Sequence, residues 1–107
     1  KAKHYYEIAA MKGDVMARHN LGVLEGEAGN FQRRYKHYMV AARAGFTQSL
    51  VYVKEGFTKG LVTKDEYASV LRAYHERQTE MKSEARDAAL KIDVQLNDGN
   101  DNAESDE

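Results

Sequence analysis

The 107-residue chain contains no proline and no cysteine. A proline inside a helix costs about 3 kcal/mol, so a chain without any is free to run in uninterrupted helices. The missing cysteines exclude disulfides and thiolate zinc sites within these residues and leave the redox compartment unread. Long hydrophobic runs are missing too. The longest apolar stretches are a few residues, far short of the roughly 20 that a membrane-spanning helix needs, so no membrane partner is expected. The chain opens at Lys1 without an initiator methionine, so the absence of a targeting segment is uninformative and an upstream part is expected. The localisation is unknown from the sequence, with a soluble, cytoplasmic protein favoured.

What is present is 42% apolar and 31% charged, the balance of a globular helical protein. The net charge of −1 hides an asymmetry. Residues 1–96 hold all 16 Lys/Arg against 12 Asp/Glu, a balance of 16 − 12 = +4. The end, "NDGNDNAESDE" from Asn97, holds the other five acids and no base. With only Ala103 as an apolar residue, 97–107 cannot bury enough surface to fold and is read as a disordered acidic tail.

The chain repeats itself. "YYEIAAMKG" (Tyr5–Gly13) and "HYMVAARAG" (His37–Gly45) align at an offset of 32, placing Tyr6, Ala9, Ala10 and Gly13 on Tyr38, Ala41, Ala42 and Gly45, and Ile8 on Val40. Ala17 and Leu21 then fall on Ser49 and Val53. Gly13 and Gly45 sit where helices end in the left-handed conformation. Asp14, Asn30 and Thr47 are placed to cap the helices that follow, and Thr63-Lys64-Asp65-Glu66 has the form of a capping box. The punctuation predicts an all-α chain of five helices, about 2–12, 15–28, 31–44, 48–58 and 64–95, each antiparallel to the last across short loops. In the last, Tyr67, Leu71, Tyr74, Gln78, Met81, Ala85, Ala88 and Ile92 make a seam stepping four, three, four, three. It weakens after Tyr74, where Glu80/Glu84 and Lys82/Arg86 are like-charge i,i+4 pairs, and its last turns are expected to fray. The alanines and glycines read as contact points, small enough to bring helix axes to the short end of the usual 8–10 Å.

At these residues the sequence resembles the Sel-one-like repeat family, a branch of the tetratricopeptide-like α-solenoids. Ala17, Leu21 and Gly22 match the alanine and leucine–glycine of that family's first helix. Ala2, Tyr5, Tyr6, Ala9, Ala10 and Gly13 match the whole of its second helix. Tyr38, Ala41, Ala42 and Gly45 match it again, with His37 in an aromatic place and Arg34 in an alanine place. The resemblance covers residues 2 to about 78 and implies a stack of helical hairpins: a half repeat at 2–13, a full repeat at 14–45 and a degenerate capping repeat at 46–78. An extension of the last helix follows at 79–96. In the last unit Ser49 and Val53 replace the pattern's alanine and leucine, Lys54 its glycine, and Arg77 and Gln78 its alanine pair. Polar substitutions on the stacking face are what a terminal cap needs. Helix 2–12 would be the second of a hairpin whose first lies upstream with further repeats. Tyr5 and Ile8 are therefore expected at the surface, and the chain lengthened upstream by one hairpin is expected to melt higher. The run including "AAMKGDVMARHNLG" and "KSEARDAA" also looks like the C-terminal end of repeat proteins that often carry a RING-type zinc domain upstream. None of that domain's cysteines stand here, so no zinc or ubiquitin-ligase role is carried over.

Signatures of chemistry are absent. His4, His19, His37 and His75 lack the paired spacing of a metal helix, since His75-Glu76 continues as Arg77-Gln78-Thr79. His37 reads as a half-buried ring in a packing position. Gly22, Gly26 and Gly29 lack the Gly-Lys-Ser/Thr ending of a phosphate loop and the strand before a dinucleotide loop. No serine stands in a nucleophile elbow. The other carboxylates interleave with bases as on a solvated face. Arg33, Arg34 and Lys36, with His37, form a basic patch near a helix N-terminus, where the dipole slightly disfavours cations. That suggests an acidic partner or the chain's own tail.

The expectation is therefore a non-catalytic scaffold without cofactor or metal, binding a protein or peptide on a concave surface. By the resemblance, Met16, His19, Val23, Gln48, Val51 and Glu55 would line that surface. Two alternatives stand beside it. One is the non-catalytic end of an enzyme, for example a RING-type ubiquitin ligase, whose active module lies upstream. The other is a nucleic-acid-binding domain using the basic body, against which the packing role of most tyrosines argues.

Overall fold

The computed structural model describes the backbone of residues 2–105 and the side chains of residues 2–93. Five helices account for it, and no strand occurs among the described residues. They are α1 (Ala2–Met11), α2 (Val15–Glu27), α3 (Phe31–Arg43), α4 (Thr47–Thr58) and α5 (Lys64–Ser105). The chain divides into two units, Lys1–Arg77 and Gln78–Glu107. The expected boundaries hold to within a residue or so for the first four helices. Helix α5 is assigned to Ser105, past the end near residue 95 that its seam predicts. The acidic segment 97–107 lies outside the residues whose side chains are described.

The turns after α1 and α3 show why the helices stop where they do. After α1, Gly13 has φ 95° and donates to the Ala10 carbonyl at 3.0 Å, and Asp14 N–H reaches the Ala9 carbonyl at 3.1 Å. After α3, Gly45 has φ 102°, donates to the Ala42 carbonyl at 2.9 Å, and Phe46 N–H reaches the Ala41 carbonyl at 3.1 Å. Both are Schellman ends, made possible by a residue without a Cβ in the left-handed region. Residue for residue they stand 32 apart, the offset of the sequence repeat. Gly45→Ala is expected to cost about 1 kcal/mol, the penalty of placing a Cβ in that conformation, read as a lower urea midpoint. An unchanged midpoint contradicts the assignment.

The helix starts agree only in part with the expected caps. Asp14 Oδ1 accepts from Ala17 N–H at 3.1 Å. At α5 the capping box closes both ways: Thr63 N–H donates to Glu66 Oε1 at 2.9 Å, and Glu66 N–H donates to Thr63 Oγ1 at 3.1 Å. Those bonds to Thr63 hold the Glu66 carboxyl below its usual range. Asn30 occupies the N-cap of α3 but makes no side-chain cap bond. Its Nδ2 turns instead to Glu25 Oε1 at 3.3 Å, a charge-assisted acceptor in place of a neutral donor. Thr47 is inside α4, whose N-cap is Phe46. The Thr47 hydroxyl is engaged with the Tyr74 hydroxyl at 2.8 Å.

In the first unit α1 packs on α2, α2 on α3, and α3 on α4. Ala10 of α1 meets Ala17 and Leu21 of α2, with Tyr6 and Ala9 beside them. A larger cluster joins Tyr35, Tyr38, Met39 and Ala42 of α3 to Val53 of α4, Val62 and Val70. Val70 is fully buried although it lies off the expected seam. Positions 67, 70, 71 and 74 form the broader stripe of a 3.6-residue period, which a helix facing a globular core needs. The stripe also carries Tyr67 onto the ring of Phe57, stacked at 4.9 Å. In the second unit Ala85, Ala88 and Ile92 of the seam are exposed. Tyr5 and Ile8 on α1 are exposed as well, together with Met11.

Candidate interaction surface

Helices α2 and α4 bury equivalent positions. Ala17 and Leu21 on α2, and Ser49 and Val53 on α4, are all 3% exposed or less. Met16 and Gln48, the residues just before Ala17 and Ser49, are exposed on the same two helices. Val23 and Val51 are also at the surface, Val51 at 63%. Glu55 is half-buried; its Oε1 accepts from the Tyr35 hydroxyl at 3.0 Å and lies 3.7 Å from Lys59 Nζ. Four of the six expected lining residues are therefore exposed, Val23 least of the three apolar ones at 38%, and Glu55 is accessible in part.

His19 is the exception. It is 8% exposed, and its Nδ1 lies 2.7 Å from Oγ of the fully buried Ser49. Tyr38, Phe46 and Tyr52 surround the ring at centroid distances of 5.0–5.6 Å. The bond joins α2 to α4, so this histidine is an internal tie and not a surface residue. The physical cause lies at position 49: a serine where α2 has Ala17 supplies the partner that lets an imidazole be buried.

Burial lowers the His19 pKa. His37 is lowered as well, by burial and then by the Arg18 charge. Both rings stay neutral in the fold at pH values where the unfolded chain, near its ordinary 6.5, takes up protons. The unfolded state thus binds more protons, and stability falls as the pH drops below about 6.5. Thermal melts between about pH 7.5 and 5.5 should show a falling Tm. A flat or rising Tm on acidification contradicts the burial of these rings.

The expected basic patch separates into three fates. Lys36 is exposed. Arg33 is exposed and reaches Glu25 Oε2 at 3.8 Å. Arg34 is half-buried, its guanidinium carbon 5.5–5.9 Å from the centroids of Tyr35, Tyr38 and Tyr52. An aliphatic stem followed by a flat cation suits a crevice between rings better than solvent, so Arg34 does not belong to a surface patch.

Glu25 is the counterpart the composition concealed. It is 3% exposed, yet Lys3 of α1 lies 3.3 Å from Oε1, Arg33 of α3 approaches Oε2, and Asn30 donates to Oε1. Burial pushes its pKa up, while the hydrogen bonds from Asn30 and Lys3 and the charges of Lys3 and Arg33 pull it down. The balance lies below the usual value. One carboxylate on α2 thus binds residues of α1 and α3. Its spacing, four residues after Leu21, was the available signal that it shares the buried face.

Among the described residues, no group of three histidine or acidic side chains is placed to hold a metal ion. No helix there is long and apolar enough to cross a membrane. Among the described residues are hollows open to solvent. One of about 350 Å³ is lined by Gly29, Asn30, Phe31, Gln32 and Arg33. Another, about 150 Å³, lies among Ala10, Gly13, Asp14, Val15, Arg18 and the α3 residues Val40, Ala41 and Ala44. Comparison with known proteins yields no matching family model, no matching curated protein and no matching solved structure.

Proposed function

We propose that the chain is a protein–protein interaction scaffold of the Sel-one-like repeat type. In this reading α1–α4 and the start of α5 stack as antiparallel hairpins of an α-solenoid. Met16, Val23, Gln48 and Val51 then present one surface to a peptide or partner domain, with Glu55 at its edge. One observation carries the reading. Two helices 32 residues apart bury the same pair of positions and expose the residue before the first of them, with apolar side chains left in water beside it. Binding would rest on shape, apolar contact and charge, without bond chemistry, as in other helical-repeat scaffolds.

The test is selection from a displayed random-peptide library against the whole chain. Peptides binding at about micromolar level are expected, with affinity falling at least about tenfold in Val51→Glu and Val23→Glu while the melting temperature stays unchanged. A library that yields no ligand, or ligands indifferent to both substitutions, overturns the proposal. Tight binding to random DNA that weakens steeply with salt would instead favour the nucleic-acid alternative.

A further inference from the structure

Arg34 stands on the first turn of α3, where the repeat pattern it resembles has alanine, and its surroundings make room for it. A Cβ at Gly26 of α2 would fall 2.7 Å from both Cδ and Nη1 of Arg34. Three tyrosine rings wall the guanidinium, two from α3 and one from α4. Among the described residues Arg34 forms no ion pair, and the nearby carboxylates are engaged elsewhere. Glu25 serves Lys3, Arg33 and Asn30, and Glu55 serves Tyr35 and Lys59. Arg34 Nε and the fully buried Tyr38 hydroxyl are both sealed from solvent without a well-aligned hydrogen bond, although the hydroxyl lies near enough to the Arg34 guanidinium to interact with it.

A guanidinium withdrawn from water without an anion is costly. Ring faces offset part of that cost, but they leave the N–H donors in the guanidinium plane unused. Arg34 keeps partial exposure while Nε is sealed, so the polar atoms left to solvent are its two Nη groups. Two parallel N–H donors in a partly dry, aromatic-walled setting match a carboxylate in a two-point contact.

We propose that Arg34 is a carboxylate-binding site, held open by Gly26 and the tyrosines Tyr35, Tyr38 and Tyr52, that takes an acidic side chain or a C-terminal carboxylate of a bound peptide. The inference rests on the scaffold reading, and Glu55 links the two, because Tyr35 touches both Glu55 and the Arg34 guanidinium.

The test uses the whole ¹⁵N-labelled chain and three versions of one short peptide. The first carries glutamate with both ends blocked. The second carries glutamine with a free C-terminus, and the third carries glutamine with both ends blocked. NMR follows the Arg34 Nε–H signal together with the amides of Met16, Val23 and Val51. One of the two carboxylate peptides is expected to shift the Arg34 signal, thereby identifying the source, and the fully blocked glutamine peptide is not. Arg34→Lys is expected to weaken that binding at least about tenfold, since an ammonium lacks the fork, and Arg34→Met to abolish it. Melts confirm that each variant folds, and Arg34→Lys decides if Arg34→Met does not. No Arg34 shift up to about millimolar peptide, or equal affinity in Arg34→Lys, overturns the proposal. Movement of the Met16, Val23 and Val51 amides with a silent Arg34 overturns the carboxylate site alone. Silence at all of them counts against the scaffold reading as well.

Discussion

Tyr38→Ala is expected to remove about 3–5 kcal/mol of stability, as for other large buried aromatics. The ring has no exposed surface. It stacks on Tyr52 at 4.9 Å and 18°, lies 5.0 Å from the His19 ring and 6.1 Å from that of Tyr35, and closes against Gly22. One side chain thus joins α2, α3 and α4, and its loss opens a void that three helices share. Domains of this size have about 5–15 kcal/mol in total, so the variant should melt roughly 15 °C lower or more. Tyr38→Phe is expected to stay within about 1 kcal/mol of the parent, because the hydroxyl it removes makes no well-aligned hydrogen bond and only faces the Arg34 guanidinium. Urea denaturation of the pair checks both claims. A phenylalanine variant as damaged as the alanine variant would show that the hydroxyl, not the ring, holds the helices.

The second large effect concerns two glycines one turn apart on α2. Gly22→Ala would set a Cβ 2.6 Å from Cε1 and 2.8 Å from Cδ1 of Tyr38. Ordinary carbon contacts lie near 3.5–4.0 Å, and a ring stacked on Tyr52 has no free space behind it. Overpacking of this kind costs about 1–3 kcal/mol, against a helix-propensity gain of about 0.8–1 kcal/mol for replacing glycine. A net loss of about 2 kcal/mol is expected from the upper part of that range. At Gly26 the same change meets Cδ and Nη1 of Arg34, a long, half-exposed side chain that can swing outward where the buried Tyr38 ring cannot. Gly26→Ala is therefore expected to fall within about 0.5 kcal/mol of the parent, the propensity gain cancelling the shift. Equal effects at the two positions contradict this account of the α2–α3 contact.

The helices were legible because their ends obey local rules. Gly13 and Gly45 mark the left-handed exits, Asp14 and Thr63 the entries, and the chain has no proline to interrupt the rest. Ala10, Ala17, Ala41 and Ala42 were legible as contact residues because small size at helical spacing has few other uses, and Leu21 because it shares a helical face with Ala17. The site was harder to read, because it depends on which residues meet across helices. His19 looked like a surface position until Ser49, thirty residues on, supplied its partner. Arg34 looked like part of a basic patch until three tyrosines and Gly26 gave it a crevice. Glu25 looked like an ordinary surface acid among bases, yet it is a buried one, satisfied by residues from α1, from α3 and from the turn joining α2 to α3. Periodicity places a side chain on a face. It does not say what the opposite face will offer.

Small residues recur so that helices can nest, and a double-mutant cycle between Gly22 and Tyr38 tests this most directly. Gly22→Ala is measured in the parent and again in Tyr38→Val, where the ring carbons its Cβ would strike are gone. The expected result is a loss of about 2 kcal/mol in the parent that disappears or reverses to a small gain in the valine background, a coupling well above the few tenths seen for independent sites. An additive cycle, with Gly22→Ala equally harmful in both, would mean that the glycine is not there to admit the ring.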